Sequence, residues 1–185
     1  PCQPLGDCGT STWGSITDDG STVFVDGAAD PSGADGSPAH PFVTIADGIA
    51  AAAAGSRVAV AGGTYAENPV LDRPLRLVGR CAAQVVLQGA GDAPTLRLTV
   101  AASGPGTELR DLTITGDATG IQLDSARGVS MEQLQVRDTG GMGIVLLAGA
   151  EATVRTSVVA RARQRGLLSE ASELVLEGSG VRDVK

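Results

Sequence analysis

His40 is the only histidine in the 185-residue chain. A Ser-His-Asp relay, which needs an imidazole to take the nucleophile's proton, would have to rest on it alone. It lies between Ala39 and Pro41 in a polar stretch and reads most simply as an exposed loop residue. Asp26, Asp30 and Asp35 share a glycine-rich segment and could offer oxygen ligands to Ca²⁺. Their spacing is not that of an EF-hand, and because Asp and Gly also build turns, the turn reading is preferred. Arg161, Arg163 and Arg165 form a local basic run, able to touch an anion but more simply a solvated corner. Cys2, Cys8 and Cys81 lack the CxxC spacing of a zinc ribbon and allow one disulfide. Cys2 with Cys8 is the favoured pairing, and Cys8 with Cys81 competes with it. No GxxxxGK phosphate loop is present. From this inventory no catalytic, cofactor-binding or metal-binding residue is assigned, and no cofactor is expected.

Composition narrows the partners. Fourteen basic residues stand against 21 acidic ones, giving a net charge of −7, and Lys185 is the only lysine. An acidic chain without a basic stripe is poorly suited to nucleic acid or to an anionic membrane. Trp13, Phe24, Phe42 and Tyr65 are the whole aromatic inventory, which excludes a groove paved with stacking rings. No window approaches the roughly 18 consecutive apolar residues of a membrane-spanning helix. The chain opens at Pro1, and the shortage of lysine together with the early cysteines leads to the expectation of a secreted or cell-surface protein from which a signal peptide has been removed.

The elements that would hold such residues follow from the patterning. Residues 1–21 read as an irregular leader, and residues 22–185 as one domain beginning with Thr22-Val23-Phe24-Val25. A loop over Asp26 to Pro41 follows, then an alanine-rich helix over Ile45–Ala54 that Gly55 ends. From Arg57 onward short apolar runs recur between Gly, Asp, Ser and Pro, and they repeat. Leu109, Leu112 and Ile114 return as Met131, Leu134 and Val136, then as Val154, Ser157 and Val159, then as Leu176, Ser179 and Val181. Gly120-Ile121-x-Leu123 returns independently as Gly143-Ile144-x-Leu146 and Gly166-Leu167-x-Ser169. A 22–23-residue period of strands without a helix per repeat predicts an all-β parallel β-helix, about six coils from Arg57 onward at ~4.8 Å per coil. Leucine-rich repeats are excluded because their fixed Asn or Cys is missing. Arg110, Glu132, Arg155 and Glu177 alternate in sign at the same period, as do Asp138, Arg161 and Asp183, so stacked rungs would attract along outward-facing ladders.

Val23-Phe24-Val25-Asp26, Pro41-Phe42-Val43-Thr44-Ile45, Gly55-Ser56-Arg57-Val58-Ala59-Val60 and Gly63-Thr64-Tyr65-Ala66-Glu67, in this order, resemble the N-terminal head of the pectin-lyase-like right-handed parallel β-helix family. The resemblance covers about a third of the chain. It implies that the Ile45–Ala54 helix caps the open first coil, that Gly63 turns the chain after the first core strand, and that Tyr65 lies over the cap. Many members act on acidic polysaccharides, but their catalytic residues have no match here. Pectin methylesterases add Gly-x-Gln-Ala and Asp-Phe-Ile-Phe-Gly stretches, and Gly120-Ile121-Gln122-Leu123-Asp124 imitates only part of the first. Polygalacturonase-type hydrolysis needs clustered carboxylates and, in the family, Asp-Asp, Gly-His-Gly and Arg-Ile-Lys, none of which occurs in the coils. Lyase-type elimination would need a calcium-binding carboxylate cluster beside an arginine base.

The expectation is a non-catalytic β-helix module that serves as a rigid spacer or binds protein or glycan. The alternative is a polysaccharide-active enzyme of pectin esterase, lyase or hydrolase type, whose site lies in coils outside this chain. The repeat breaks off in mid-coil at Lys185, which predicts either self-association through the coil around residues 166–185 or a further segment, outside this chain, that continues the stack.

Overall fold

The computed structural model describes residues 8–184. Short strands run through three parallel sheets, each strand pairing with its counterpart one coil away. Sheet I contains β1 (Thr22–Val25), β2 (Arg57–Val60), β5 (Arg76–Gly79), β8 (Glu108–Arg110), β11 (Val129–Glu132), β14 (Glu151–Arg155) and β17 (Glu173–Glu177). Sheet II contains β3 (Gly63–Tyr65), β6 (Val85–Gly89), β9 (Thr113–Gly116), β12 (Gln135–Thr139), β15 (Val158–Ala160) and β18 (Gly180–Arg182). Sheet III contains β4 (Val70–Leu71), β7 (Leu96–Leu98), β10 (Ile121–Asp124), β13 (Ile144–Leu147) and β16 (Leu167–Ser169). This is a right-handed parallel β-helix with one short α-helix.

The register follows the sequence period residue for residue. Val58, Leu77, Leu109, Met131, Val154 and Leu176 form one inward column. Ile114, Val136, Val159 and Val181 form another, and Ile121, Ile144 and Leu167 a third. Where the leucines of the Leu112–Leu134 column give way to serine, hydrogen bonds explain the change. The buried Ser157 hydroxyl accepts from Leu134 N–H at 3.0 Å and donates to Arg155 C=O at 2.7 Å, and the Ser179 hydroxyl accepts from Ser157 N–H at 3.1 Å. A hydroxyl can replace apolar volume in a core only when paired in this way.

The period itself is local. Thr22, Arg57, Arg76, Glu108, Ser130, Thr153 and Val175 sit one above another in sheet I. Coils of 35, 19 and 32 residues therefore precede the regular ones of 22, 23 and 22. The longest early coil carries the Asp26–Pro41 loop and the helix, and the 32-residue coil accommodates a 3₁₀ turn at Val100–Ala102.

The corners have a regularity of their own. Among the described residues, nine non-glycine residues have positive φ, and they fall into three stacked columns. Asp111, Gln133 and Thr156 turn the chain from sheet I to sheet II, Asp138, Arg161 and Asp183 end sheet II, and Ser125, Ala148 and Ala171 follow sheet III. Each left-handed residue costs roughly 1 kcal/mol, a cost repaid by bending the chain so that the next strand meets its neighbour in register.

The helix α1 spans Ile45–Ala51 and stops short of the expected Ala54, since Ala52 is already extended (ψ 133°) and Gly55 turns three residues later with φ +83°. Ile45, Gly48 and Ile49 are its buried residues, and a Cβ on Gly48 would lie 2.5 Å from Val25 Cγ2, which shows how closely the helix lies on β1. Thr44 accepts from Asp47 N–H at 3.0 Å, while Glu67 accepts from Ile45 and Ala46 N–H at 2.8 and 2.9 Å. The Gly63-Thr64-Tyr65-Ala66-Glu67 segment thus ends in the carboxylate that satisfies the first turn of the helix. Tyr65 is buried, donates to Ala61 C=O at 2.9 Å and accepts from Gly27 N–H at 3.3 Å; burial pushes its hydroxyl up to about 12.

Candidate functional site

Described leader residues 8–21 contribute no strand to the three sheets and are fastened to the outer face of sheet I. Cys8 is bonded to Cys81, so the competing pairing forms instead of the favoured Cys2–Cys8 bridge. Cys2 itself lies outside the described residues. Sequence proximity misled here: a six-residue separation makes a bridge easy to close, whereas folding brings Cys8 beside β5 across 73 residues. Arg80, next to Cys81, donates to Cys8 C=O at 3.0 Å and to Gly9 C=O at 2.8 Å. Trp13 meets Phe24 edge-on with ring centroids 4.7 Å apart and donates to Val25 C=O at 3.2 Å. Arg57 and Arg76, stacked on adjacent rungs, converge on one Asp19 carboxylate oxygen at 3.4 and 3.3 Å. The Ser21 hydroxyl, the Ser21 N–H and the Thr22 hydroxyl bond the same carboxylate and hold it well below the usual carboxylate range.

Where the leader crosses the sheet, Ser15 and Ile16 form one wall of a cleft of about 360 Å³ whose other lining includes Arg80, Arg110, Asp111 and Gln133. Arg110 was expected to pair with Glu132 on the next rung. It turns instead to Glu108 and Asp111, each at 3.3 Å. Its buried Nε lies within ion-pair distance of Asp111 but makes no hydrogen bond. Burial raises the Asp111 carboxyl to about 6, with Glu132 and Glu108 adding to the rise and Arg110 opposing it. A carboxyl that titrates near neutrality beside a guanidinium can exchange a proton or grip a polar ligand.

Further along the same face, Ser130, Thr153 and Val175 floor an open trough of about 350 Å³ edged by Glu151, Glu173 and Arg155. A third cleft of about 500 Å³ lies at the sheet II corner between Asp117, Asp138, Arg161 and Arg163. There Arg161 grips Asp138 through two bonds of 2.6 and 2.8 Å, which, with Arg137, lowers the Asp138 carboxyl to about 2. Thr139 Oγ1, lining this cleft, is buried without a hydrogen-bond partner.

The residues singled out in the sequence take other positions. His40 is exposed, and its carbonyl accepts from Asp35 and Gly36 N–H at 2.9 and 3.0 Å. Asp26, Asp30 and Asp35 each accept from a backbone N–H two residues ahead, at 3.0, 2.8 and 2.8 Å, as turn-forming carboxylates do. Arg163 and Arg165 are exposed. Gln122 and Asp124 bond each other at 2.8 Å on the outer face of sheet III, where Arg97 also pairs with Asp124 at 2.5 Å. Of the ladders, Arg155–Glu177 at 2.7 Å and Asp138–Arg161 close as ion pairs. Arg110 stood out in the sequence only as a rung of the charge ladder, and no simple signal pointed to Asp111. The register could have been extended backward to align Arg57, Arg76 and Glu108, but the irregular early coils hide that alignment.

No family model matches this chain, and no curated protein matches it.

Proposed function

We propose that this chain is a non-catalytic module of a secreted or cell-surface protein, related to the pectin-lyase-like β-helices, whose rigid solenoid presents the outer face of sheet I to a glycan or protein. The observation that carries this reading is the open trough. Ser130 and Thr153 repeat at rung spacing between the stacked Glu151 and Glu173 on one side and Arg155 on the other, so hydroxyl and carboxylate groups recur along one direction, as an extended polar chain requires. The Cys8–Cys81 disulfide supports an oxidising compartment. Self-association through the last described coil belongs to the same proposal, supported by Val175, Leu176, Val181 and Val184 at 38, 45, 42 and 39% exposure. Light scattering across a concentration series tests that part, and a strictly monomeric protein refutes it.

A glycan array probed with the wild type and with Thr153→Trp, which fills the trough, tests the main reading; binding insensitive to Thr153→Trp refutes the location. A second reading, distinct from an enzyme whose site lies in coils outside this chain, puts polysaccharide chemistry at the Arg110–Asp111 cleft, where Arg110 stands 3.3 Å from a carboxyl that burial raises to about 6. Pectin, polygalacturonate and alginate should go unturned over. Turnover abolished by Asp111→Asn would establish the enzyme instead.

A further inference from the structure

The leader is only lightly rooted in the solenoid. None of residues 8–21 is buried. Its bonds Gly14–Ser11 and Ile16–Trp13 stay inside the leader, while solenoid side chains and one disulfide hold it down. Beneath it, Arg57 and Arg76 stand directly one above the other, an arrangement of like charges that costs stability unless an anion lies between them. Asp19 is that anion. The remaining contacts describe a peptide ligand. Carbonyls of Cys8, Gly9 and Thr17 accept from Arg80 and Arg57, and an aromatic side chain docks on Phe24. The surface thus reads carbonyls on either side of a hydrogen-bonded Ser11–Gly14 turn and one carboxylate near the end.

We propose that the Arg57–Arg76–Arg80 surface is a recognition site for an acidic peptide with a turn ahead of its carboxylate, that the leader occupies it in cis, and that thiol–disulfide exchange at Cys8–Cys81 opens it to such a peptide in trans. The bridge and the join to β1 fix the leader covalently at two points; after exchange only the join to β1 remains covalent, and the leader's effective concentration at the site falls. A dithiol performs the step. One thiolate attacks a bridge sulfur, the second resolves the mixed disulfide, and the two electrons and two protons leave Cys8 and Cys81 as thiols while the dithiol becomes a disulfide. Freed guanidiniums, three on two neighbouring rungs, then accept the acidic peptide. The same event removes the Ser15–Ile16 wall of the Arg110–Asp111 cleft and opens it to water.

The experiment measures fluorescence anisotropy of a labelled synthetic peptide with the sequence of residues 9–21, titrated with the full chain before and after dithiothreitol. The reduced chain should bind about tenfold tighter or more, the gain expected when an intramolecular competitor loses one tether. Asp19→Asn in the peptide, or Arg57→Ala with Arg76→Ala in the chain, should each remove most of that binding. Equal binding in both redox states, or binding indifferent to the arginines, overturns the proposal. Loss of the far-UV circular dichroism of the solenoid on reduction overturns it as well. In the disulfide-bonded chain, Arg80→Ala should loosen hydrogen-exchange protection of residues 8–21 while the sheets keep theirs; unchanged leader protection contradicts the side-chain anchoring on which the site rests.

Discussion

Val154 and Leu176 are neighbours in one column of sheet I, yet Val154 is 1% exposed and Leu176 45%. The same contrast separates Val159 at 3% from Val181 at 42%. Residue type does not distinguish them; the number of coils packed around each does. At the other end, β1 has a helix lying on it, and Val25, Val58 and Leu77 are wholly buried. In a solenoid, burial belongs to the stack: each rung shields the one before it, and a side chain's worth depends on its place along the axis.

Identical substitutions at two positions sharpen the contrast. Leu134→Asp places an unpaired carboxylate among wholly buried neighbours and should cost about 4 kcal/mol or more. Leu176→Asp should cost no more than about 1 kcal/mol, because that side chain already meets water. Urea denaturation of both variants checks this, and equal losses would mean that the last coil is shielded in solution. Backbone contact gives a second pair. A Cβ at Gly79 would lie 2.3 Å from the Asp111 carbonyl oxygen, whereas one at Gly180 meets nothing within 4 Å. Gly79→Ala should therefore destabilise by roughly 2–3 kcal/mol through forced backbone shifts. Gly180→Ala should be neutral within about 0.5 kcal/mol.

The regular half of the molecule was legible because the chain repeats there. Leu109, Met131 and Val154 could be aligned without knowing the fold, and a two-residue slip anywhere would have broken three columns at once. The candidate site was not legible, for a physical reason. Arg57, Arg76 and Glu108 share a column only because coils of 19 and 32 residues close to the same height, and no fixed period exposes that. The leader's place was hidden in the same way, since Cys8–Cys81 and Asp19–Arg76 join residues far apart in the chain. Two of the three corner columns escaped notice because their occupants, Asp111, Gln133 and Thr156 in one and Ser125, Ala148 and Ala171 in the other, share a backbone conformation but no side-chain chemistry, whereas alternating charge aligned Asp138, Arg161 and Asp183.

Two of the three aspartates at those corners, Asp111 and Asp138, separate in pH. Asp111 has a raised carboxyl, so the folded state holds its proton more tightly than the unfolded chain does. Its stability contribution is present below about pH 4 and is lost as pH rises through about 6. Asp111→Asn should flatten that fall, a change of roughly 1 kcal/mol because the cleft's open side screens the charge. Chemical denaturation at pH 4 and pH 7 measures it, and a wild type that gains stability across this interval would contradict the buried placement of Asp111.

Asp138 has the opposite sign and the smallest effect. Arg161 and Arg137 lower its carboxyl to about 2, so the stabilisation is present at neutral pH and is lost as pH falls from about 4 through 2. The pair is exposed, with 42% of the Asp138 side chain and 50% of the Arg161 side chain open to solvent. Water and salt therefore screen most of its energy, and Arg161→Ala should leave the melting temperature nearly unmoved. What should move is the titration itself. With the two-bond grip gone and Arg137 still present, the Asp138 carboxyl should climb back toward the ordinary range near 4. Carbon-detected NMR of the Asp138 side chain follows it directly. An unchanged titration in Arg161→Ala would mean that the Asp138–Arg161 rung does not close in solution, and that the sign-alternating ladders, legible in the sequence at a 22–23-residue period, mark the register without pairing across it.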